Sequence, residues 1–252
     1  MVGITREITA VIKRFDPKRD KEPHYQEFRV NYKKGMRVLD AIMDIQRHQD
    51  PSLAYRWNCR AGICGSCAME IDGKPCLACK TAIEKDRLTI EPMKAFPVIK
   101  DLVPDIDEVR EKLARLKPYF DAKPEEAAKD GFFIFQDYEL HEQHEAHECI
   151  ECYICYDSCH VTRNHKELGF CGPSNVVKAI NLDRHPLDVG DRFRLLNTEG
   201  NIWQCNMTRC CSENCPQDIR ITENFITYAK ERIVEDNNPV LRLIRRIKGG
   251  ER

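Results

Sequence analysis

The chain has 252 residues, 42% hydrophobic and 32% charged, with a formal net charge of −1; that is room for one large domain or two ordinary ones, and no basic excess argues for nucleic acid. A mean hydropathy of −0.56 and short apolar runs exclude a membrane-spanning stretch of about 18 residues. The opening "MVGITREITAVIKRF" is charged early and builds no apolar leader, so no secretory signal is expected and the chain should be soluble by itself in a reducing compartment.

In chain order, "ITAVIKRF" (8–15) and "FRVNY" (28–32) read as a strand pair around the "KRDKEPH" loop. "RVLDAIMDIQRHQ" sets Val38, Leu39, Ile42 and Ile45 at helical spacing and stops before Pro51. A cysteine loop follows, then "AMEIDG" and "RLTIEP" as further short strands. The expectation is a mixed sheet crossed by one helix, compatible with a β-grasp. Beyond Pro104 the character becomes helical: "DIDEVREKLARLKPYF" with Asp105 as N-cap, "PSNVVKAINLDRH" and "ITENFITYAKERIVE". The predicted class is α+β, with domains at 1–105 and 106–252 and no tandem repeat.

The 14 cysteines fall in groups. In a reducing compartment such groups are more often metal ligands than disulfides, because thiolates bind soft metals while disulfides do not persist. In "CRAGICGSCAMEIDGKPCLAC", Cys59, Cys64 and Cys67 reproduce the C-x4-C-x2-C spacing of plant-type [2Fe–2S] ferredoxins. Gly62 and Gly65 suit the unusual backbone that such a loop requires. Spacing alone admits either Cys76 or Cys79 as fourth ligand. A zinc ribbon, as in a non-redox interaction module, would want two C-x2-C knuckles, and only Cys76–Cys79 resembles one.

Cys149, Cys152, Cys155 and Cys159 form a complete C-x2-C-x2-C-x3-C run of the bacterial ferredoxin type, whose last cysteine ligates the neighbouring cluster. The same ruler laid on Cys205 finds Cys211, Cys215 and the following Pro216, but Thr208 at the second ligand position. One cluster therefore takes Cys149, Cys152, Cys155 and Cys215 as a [4Fe–4S] site. The other is left with Cys159, Cys205 and Cys211, which suits a [3Fe–4S] core. Cys210 stands beside the incomplete run as either a neighbour of the vacant corner or a spare thiol. The second reading is favoured because adjacent side chains point in different directions.

A plant-type half followed by a two-cluster half with this missing ligand resembles the iron–sulfur subunit of succinate dehydrogenase and fumarate reductase. "CRAGICGSCAMEIDG" with "LAC" after it, "CIECYIC…C", "GFCGP" and "CNMTRCCSENCP" carry the resemblance over essentially the whole chain. It implies a β-grasp [2Fe–2S] ferredoxin domain followed by a helical bacterial-type ferredoxin domain, and Cys79 as fourth [2Fe–2S] ligand. It further implies electron relay between FAD in a separate catalytic subunit and quinone at a hydrophobic membrane-anchor subunit. The haem content of that anchor is left open. The chain would lie peripherally on the cytoplasmic, or matrix-equivalent, face of the membrane. It has no G-x-G-x-x-G dinucleotide fingerprint and no P-loop, so dicarboxylate chemistry is expected in the partner.

Some positions depart from the family pattern. His160 stands where proline usually follows the cysteine, and Asn164 and Asn206 replace a tryptophan and a histidine of the ubiquinone enzymes. His160 and Asn206 are accordingly the candidates for the quinone vicinity, in a site that differs from those enzymes; for His160, packing against the membrane subunit is an equal alternative. "HEQHEAHE" places His141, His144 and His147 among glutamates and reads as a solvated helix rather than a metal face. Cys171 reads as structural. "VLRLIRRIKGGER" is a basic amphipathic stretch, suited to anionic lipid, a partner helix or a simple capping role.

Overall fold

The computed structural model describes residues 6–122, 131–133 and 136–247. By compactness these divide into two units that are not consecutive halves. One holds the described residues through Ile106 together with Ile150–Asn164 and Asn214–Asp218; the other holds Asp107–Cys149, His165–Glu213 and the residues from Ile219 on.

The first unit is built on a five-stranded mixed sheet. Strands β1 (Arg6–Arg14) and β2 (His24–Tyr32) are antiparallel, Ile8 facing Val30 and Ala10 facing Phe28. Ile8, Ala10 and Ile12, every second residue of β1, are fully buried, as a sheet with one covered face requires. Helix α1 (Val38–His48) covers that face with Val38, Leu39, Ile42 and Ile45, the four apolar positions read from the sequence. Its first turn is held by the Asp40 carboxylate, which accepts the Arg37 N–H at 2.9 Å. Strands β3 (Ala68–Ile71), β4 (Lys74–Leu77) and β5 (Arg87–Glu91) complete the order β2-β1-β5-β3-β4, with β1 and β5 parallel. That parallel pair beside two hairpins, crossed by one helix, is the expected β-grasp. A small pair, β6 (Val98–Lys100) and β7 (Val103–Pro104), closes the region.

Its edge carries a buried polar knot. The Arg14 guanidinium donates to Asp101 at 2.9 Å, to Gln26 at 2.7 Å and to Asp50. Asp101 also accepts the Phe15 and Ala54 N–H groups at 3.0 and 2.9 Å, so the buried charges are paired and hydrogen-bonded. Ile150–Asn164 contributes α4 (Ile154–Ser158) and α5 (His160–Asn164) to this unit. Phe96 stacks on Tyr156 with centroids 5.1 Å apart, and Asp157 accepts the Ala95 N–H at 2.7 Å.

The second unit is helical. Helix α2 (Asp107–Arg115) starts one residue later than an Asp105 cap would place it, and the Asp105 N–H donates to the Pro97 carbonyl at 2.8 Å. It also stops short of "KPYF", as Lys117 turns left-handed ahead of Pro118. Short α3 (His144–His147) precedes α6 (Pro173–Asp183), α7 (Arg192–Thr198), α8 (Cys210–Glu213) and α9 (Tyr228–Asn237). Val109, Val176, Ile180, Leu196, Phe225 and Ile233 form the core. Arg192, 1% exposed, makes a two-pronged pair with Asp188 at 2.6 and 2.8 Å and donates to the Lys117 and Tyr119 carbonyls. The predicted single helix over 221–235 begins instead as a π-helical stretch, Ile221–Thr227. Thr227 donates its hydroxyl to the Thr222 carbonyl at 2.8 Å, bridging that widened turn.

The histidine-rich stretch is a 3-10 turn (Asp137–Gln143) leading into α3, and it is not wholly solvated. Gln143 and Ala146 are buried, and Glu145 accepts the Arg220 N–H and the Asn224 amide at 2.6 Å each. Helix α10 (Pro239–Ile247) forms within the tail, leaving Val240, Leu243 and Ile247 exposed; the rest of the basic stretch lies outside the described residues. No helix among the described residues is long and apolar enough to cross a membrane.

Candidate iron–sulfur centres

The loop between α1 and β3 is shaped by Arg60, Gly62 and Gly65, all left-handed at φ 57, 79 and 69°. This conformation turns successive N–H groups inward, as an anionic guest requires. The Cys59 sulfur accepts the Ala61 N–H at 3.3 Å. The Ala61 and Ile63 amides, with Cys64, pull its pKa down to about 6, so most of it is thiolate at neutral pH without any cation. Cys67 is the opposite case: burial, then the adjacent Cys79, pushes its thiol up to about 12. Cys79 thus lies at Cys67, with Cys64 within electrostatic reach. Cys76 sits away on β4, takes the Thr81 hydroxyl at 3.3 Å, and is raised by burial. Among the described residues no three His, Cys, Asp or Glu side chains converge as a mononuclear site would need; the sulfurs of a cluster bind separate irons.

Gly65 has a second role. A methyl group there would stand 2.8 Å from both the Cys152 Cα and the Ile150 carbonyl oxygen. Only a residue without a side chain lets the first cysteine loop lie in van der Waals contact with Ile150 and Cys152. Gln217, two residues beyond Cys215, donates to the Gly62 carbonyl at 2.9 Å.

The two ferredoxin-type runs share a backbone pattern. Glu151 and Tyr153 are left-handed at φ 53 and 60°; Met207 and Arg209 are left-handed at φ 55 and 68°. Both pairs fall two and four residues after Cys149 and Cys205 respectively, and a short helix begins at the fifth residue in each case, Ile154 and Cys210. Thr208 therefore has in its run the backbone place that Cys152 has in the other. The Cys205 sulfur accepts the Met207 N–H at 3.4 Å, and Lys230 donates to the Cys205 carbonyl. The Cys211 sulfur lies 3.2 Å from the Thr222 hydroxyl. Burial raises Cys205 and pushes Cys211 up to about 11, so these thiols keep their protons until a metal displaces them.

Thr222 and Lys230 went unread in the sequence, because nothing in spacing tells which distant helix packs on a cysteine loop. Of the other candidates, half-buried His160 opens α5, while Asn164 and Asn206 are exposed. Cys171 is fully buried, its thiol pushed up to about 12 by burial. The donor set thus fits iron–sulfur cores: soft sulfur ligands on loops whose N–H groups face them.

Two family models match the chain: a 2Fe-2S iron–sulfur cluster binding domain over residues 9–111 and a 4Fe-4S dicluster domain over residues 145–219. The chain is 32% identical to the fumarate reductase iron–sulfur subunit of Haemophilus influenzae, over 90% of this chain and 94% of that one. It is 32% identical to the mitochondrial succinate dehydrogenase [ubiquinone] iron–sulfur subunit of Candida glabrata, over 91% and 92%. Among solved structures, a chain of the Mycobacterium smegmatis Sdh1 complex in its apo form superposes with a TM-score of 0.85 and 37% identity, covering 94% of this chain and 99% of that one. Matched at both cysteine-bearing regions and along nearly its whole length, the chain belongs to the family of iron–sulfur subunits of succinate dehydrogenase and fumarate reductase.

Proposed function

We propose that this subunit relays single electrons between FAD in a catalytic partner subunit and quinone at a hydrophobic membrane anchor, lying peripherally on the cytoplasmic or matrix-equivalent face. Residues 1–105 would serve as the [2Fe–2S] module, with Cys59, Cys64, Cys67 and Cys79 as ligands. Residues 106–252 would carry a [4Fe–4S] centre on Cys149, Cys152, Cys155 and Cys215 and a [3Fe–4S] centre on Cys159, Cys205 and Cys211. His160 and Asn206 are assigned to the vicinity of quinone.

The observation that carries this reading is the Gly65 contact. Electron transfer falls off steeply with distance, and here the backbones of two ligand loops touch. The clusters, when bound, supply the one-electron redox chemistry; the chain holds them close, fixes their ligands and tunes them. Amides on the Cys59 sulfur and the Met207 N–H on Cys205 favour negative charge at those ligands, which raises the potential of the centre they hold. Burial of Cys67, Cys205 and Cys211 keeps solvent from the sulfurs.

The test is spectroscopic. The purified complex should contain about nine irons per chain, the total of a two-, a four- and a three-iron core, with matching sulfide. Oxidised, it should show the paramagnetic signal of a three-iron core; succinate should reduce the higher-potential centres. A colourless, iron-free or zinc-loaded protein with a native fold would refute the reading.

A further inference from the structure

Cys76, Cys171 and Cys210 stand outside the proposed ligand sets, and the position of Cys210 is informative. It opens α8, immediately after the left-handed Arg209, and its sulfur lies 3.4 Å from the Thr208 hydroxyl oxygen. Thr208 has the backbone place that Cys152 holds in the complete run, with left-handed residues on either side in both. A sulfur 3.4 Å from the γ-oxygen of that residue is close to where the missing ligand's own sulfur would be. One staggered rotamer step sweeps a cysteine sulfur through about 3 Å, so the remaining gap is that of a side-chain rotation, with no backbone change.

Two further observations agree. In the complete run the residue equivalent to Cys210 is Ile154, fully buried; here the same backbone place carries a half-buried thiol. Cys205 and Cys211, at 8% and 4% exposure, are closed off, so Cys210 alone of the three meets solvent enough to receive an incoming ion.

We propose that Cys210 is a conditional fourth ligand, able to bind a ferrous ion at the open corner of the three-iron centre and convert it to a four-iron one. The inference rests on the [3Fe–4S] assignment above. The step balances as follows: a reduced three-iron core of charge zero takes up one Fe²⁺ from solution to give a four-iron core of charge +2. The Cys210 thiol gives its proton to solvent as its sulfur bonds the new iron. The electron that first reduces the core is the one the relay delivers, or in a test is supplied by dithionite. Oxidation by one electron and loss of Fe²⁺ reverse the step. A fourth thiolate adds negative charge at the centre nearest quinone and lowers its potential, so ferrous iron under reducing conditions would throttle electron delivery.

The experiment uses the holo-complex, prepared anaerobically as wild type and as Cys210→Ala. Each is reduced with dithionite, exposed to Fe²⁺, desalted and oxidised mildly. Its three-iron paramagnetic signal and iron content are then measured. The expected result is at least a fivefold loss of signal with a gain of about one iron in wild type, and an undiminished signal in Cys210→Ala. Recovery of the wild-type signal after stronger oxidation would support the same conclusion. Equal conversion of both proteins, or of neither, overturns the role of Cys210 while leaving the three-iron assignment standing. If neither protein shows a three-iron signal before iron is added, the ligand set itself falls and this inference with it.

Discussion

In the proposed ligand set, Thr208 is the single side chain whose identity would set the composition of the third centre. Its hydroxyl is a poor iron ligand beside a thiolate, while the surrounding backbone repeats that of Cys152. Thr208→Cys should therefore place a sulfur at the open corner without rebuilding the loop. The mutant should gain about one iron and lose the oxidised three-iron signal. The added thiolate lowers the potential, and each fall of about 59 mV makes one-electron transfer onto that centre about tenfold less favourable. Quinone reduction should slow with flavin content normal. Persistence of the signal in a well-folded mutant would remove Thr208 from the corner.

The rivalry between Cys76 and Cys79 is also testable at single residues. Cys79→Ser should abolish the [2Fe–2S] absorption and paramagnetic signal, because its sulfur stands at Cys67. Cys76→Ser should keep both, since that thiol faces Thr81, and should lose no more than about 1 kcal/mol of stability. Visible spectra of the two variants decide it; a colourless Cys76→Ser would reverse the assignment.

Asp50 illustrates a charge placed for the fold alone. Burial would raise its pKa, but the Ser52 hydroxyl and the Arg14 guanidinium outweigh burial and hold it at about 2. A folded-state value below the unfolded one contributes stability that is complete above about pH 4 and lost as pH falls through 2. Asp50→Asn should thus cost about 2 kcal/mol. The loss should be constant from pH 5 to 8, read as a shift in denaturant midpoint. A penalty that varied across that range would mean another group titrates with it.

Among the elements, the loop from Cys59 to Cys67 bears the closest constraint. Gly65→Ala would force a left-handed alanine, costing about 1–2 kcal/mol, and would drive a methyl group into the Cys152 Cα and the Ile150 carbonyl. The two ligand loops would have to part. The expectation is a lower thermal midpoint and slower reduction of the second centre than of the first, followed by freeze-quench spectroscopy. Unchanged kinetics in a folded protein would mean the contact does not set the rate. The π-helical turn at Ile221–Thr227 has a comparable local purpose: it is where Thr222 reaches the Cys211 sulfur. A regular helix was expected there because periodicity is nearly blind to one inserted residue.

For the whole molecule, the proposed clusters would belong to the fold as well as to the electron path. Buried thiols such as Cys67 and Cys211 are held neutral by their surroundings, and iron bound there would replace their protons with bonds. Stripping iron with a chelator under reducing conditions should therefore release protons and lower the unfolding temperature. A subunit that kept its midpoint after complete iron loss would contradict this. Gentle extraction should recover the chain together with a flavoprotein and a hydrophobic anchor. A membrane-free monomer with full succinate oxidation would end the relay proposal.

Residue type and spacing alone carried the reading of the chemistry: cysteines at C-x4-C-x2-C and C-x2-C-x2-C-x3-C are the proposed cluster ligands because sulfur must sit at fixed separations on a short chain. The strands, α1 and the β-grasp were equally legible, since period-2 and period-3.6 burial are local properties of β1 and α1. The sequence left three things open that depend on residues far apart meeting in space. One is the placing of Ile150–Asn164 with the sheet, held by Asp157 on the Ala95 amide and Tyr156 on Phe96. Another is the start of α2 at Asp107, beside an Asp105 whose N–H is tied to the distant Pro97 carbonyl. The third is the surroundings of each sulfur: Thr222 at Cys211, Cys79 at Cys67, Thr208 at Cys210. Spacing fixes which atoms can bind iron; only the packing of distant segments fixes which hydrogen bonds and charges those atoms feel.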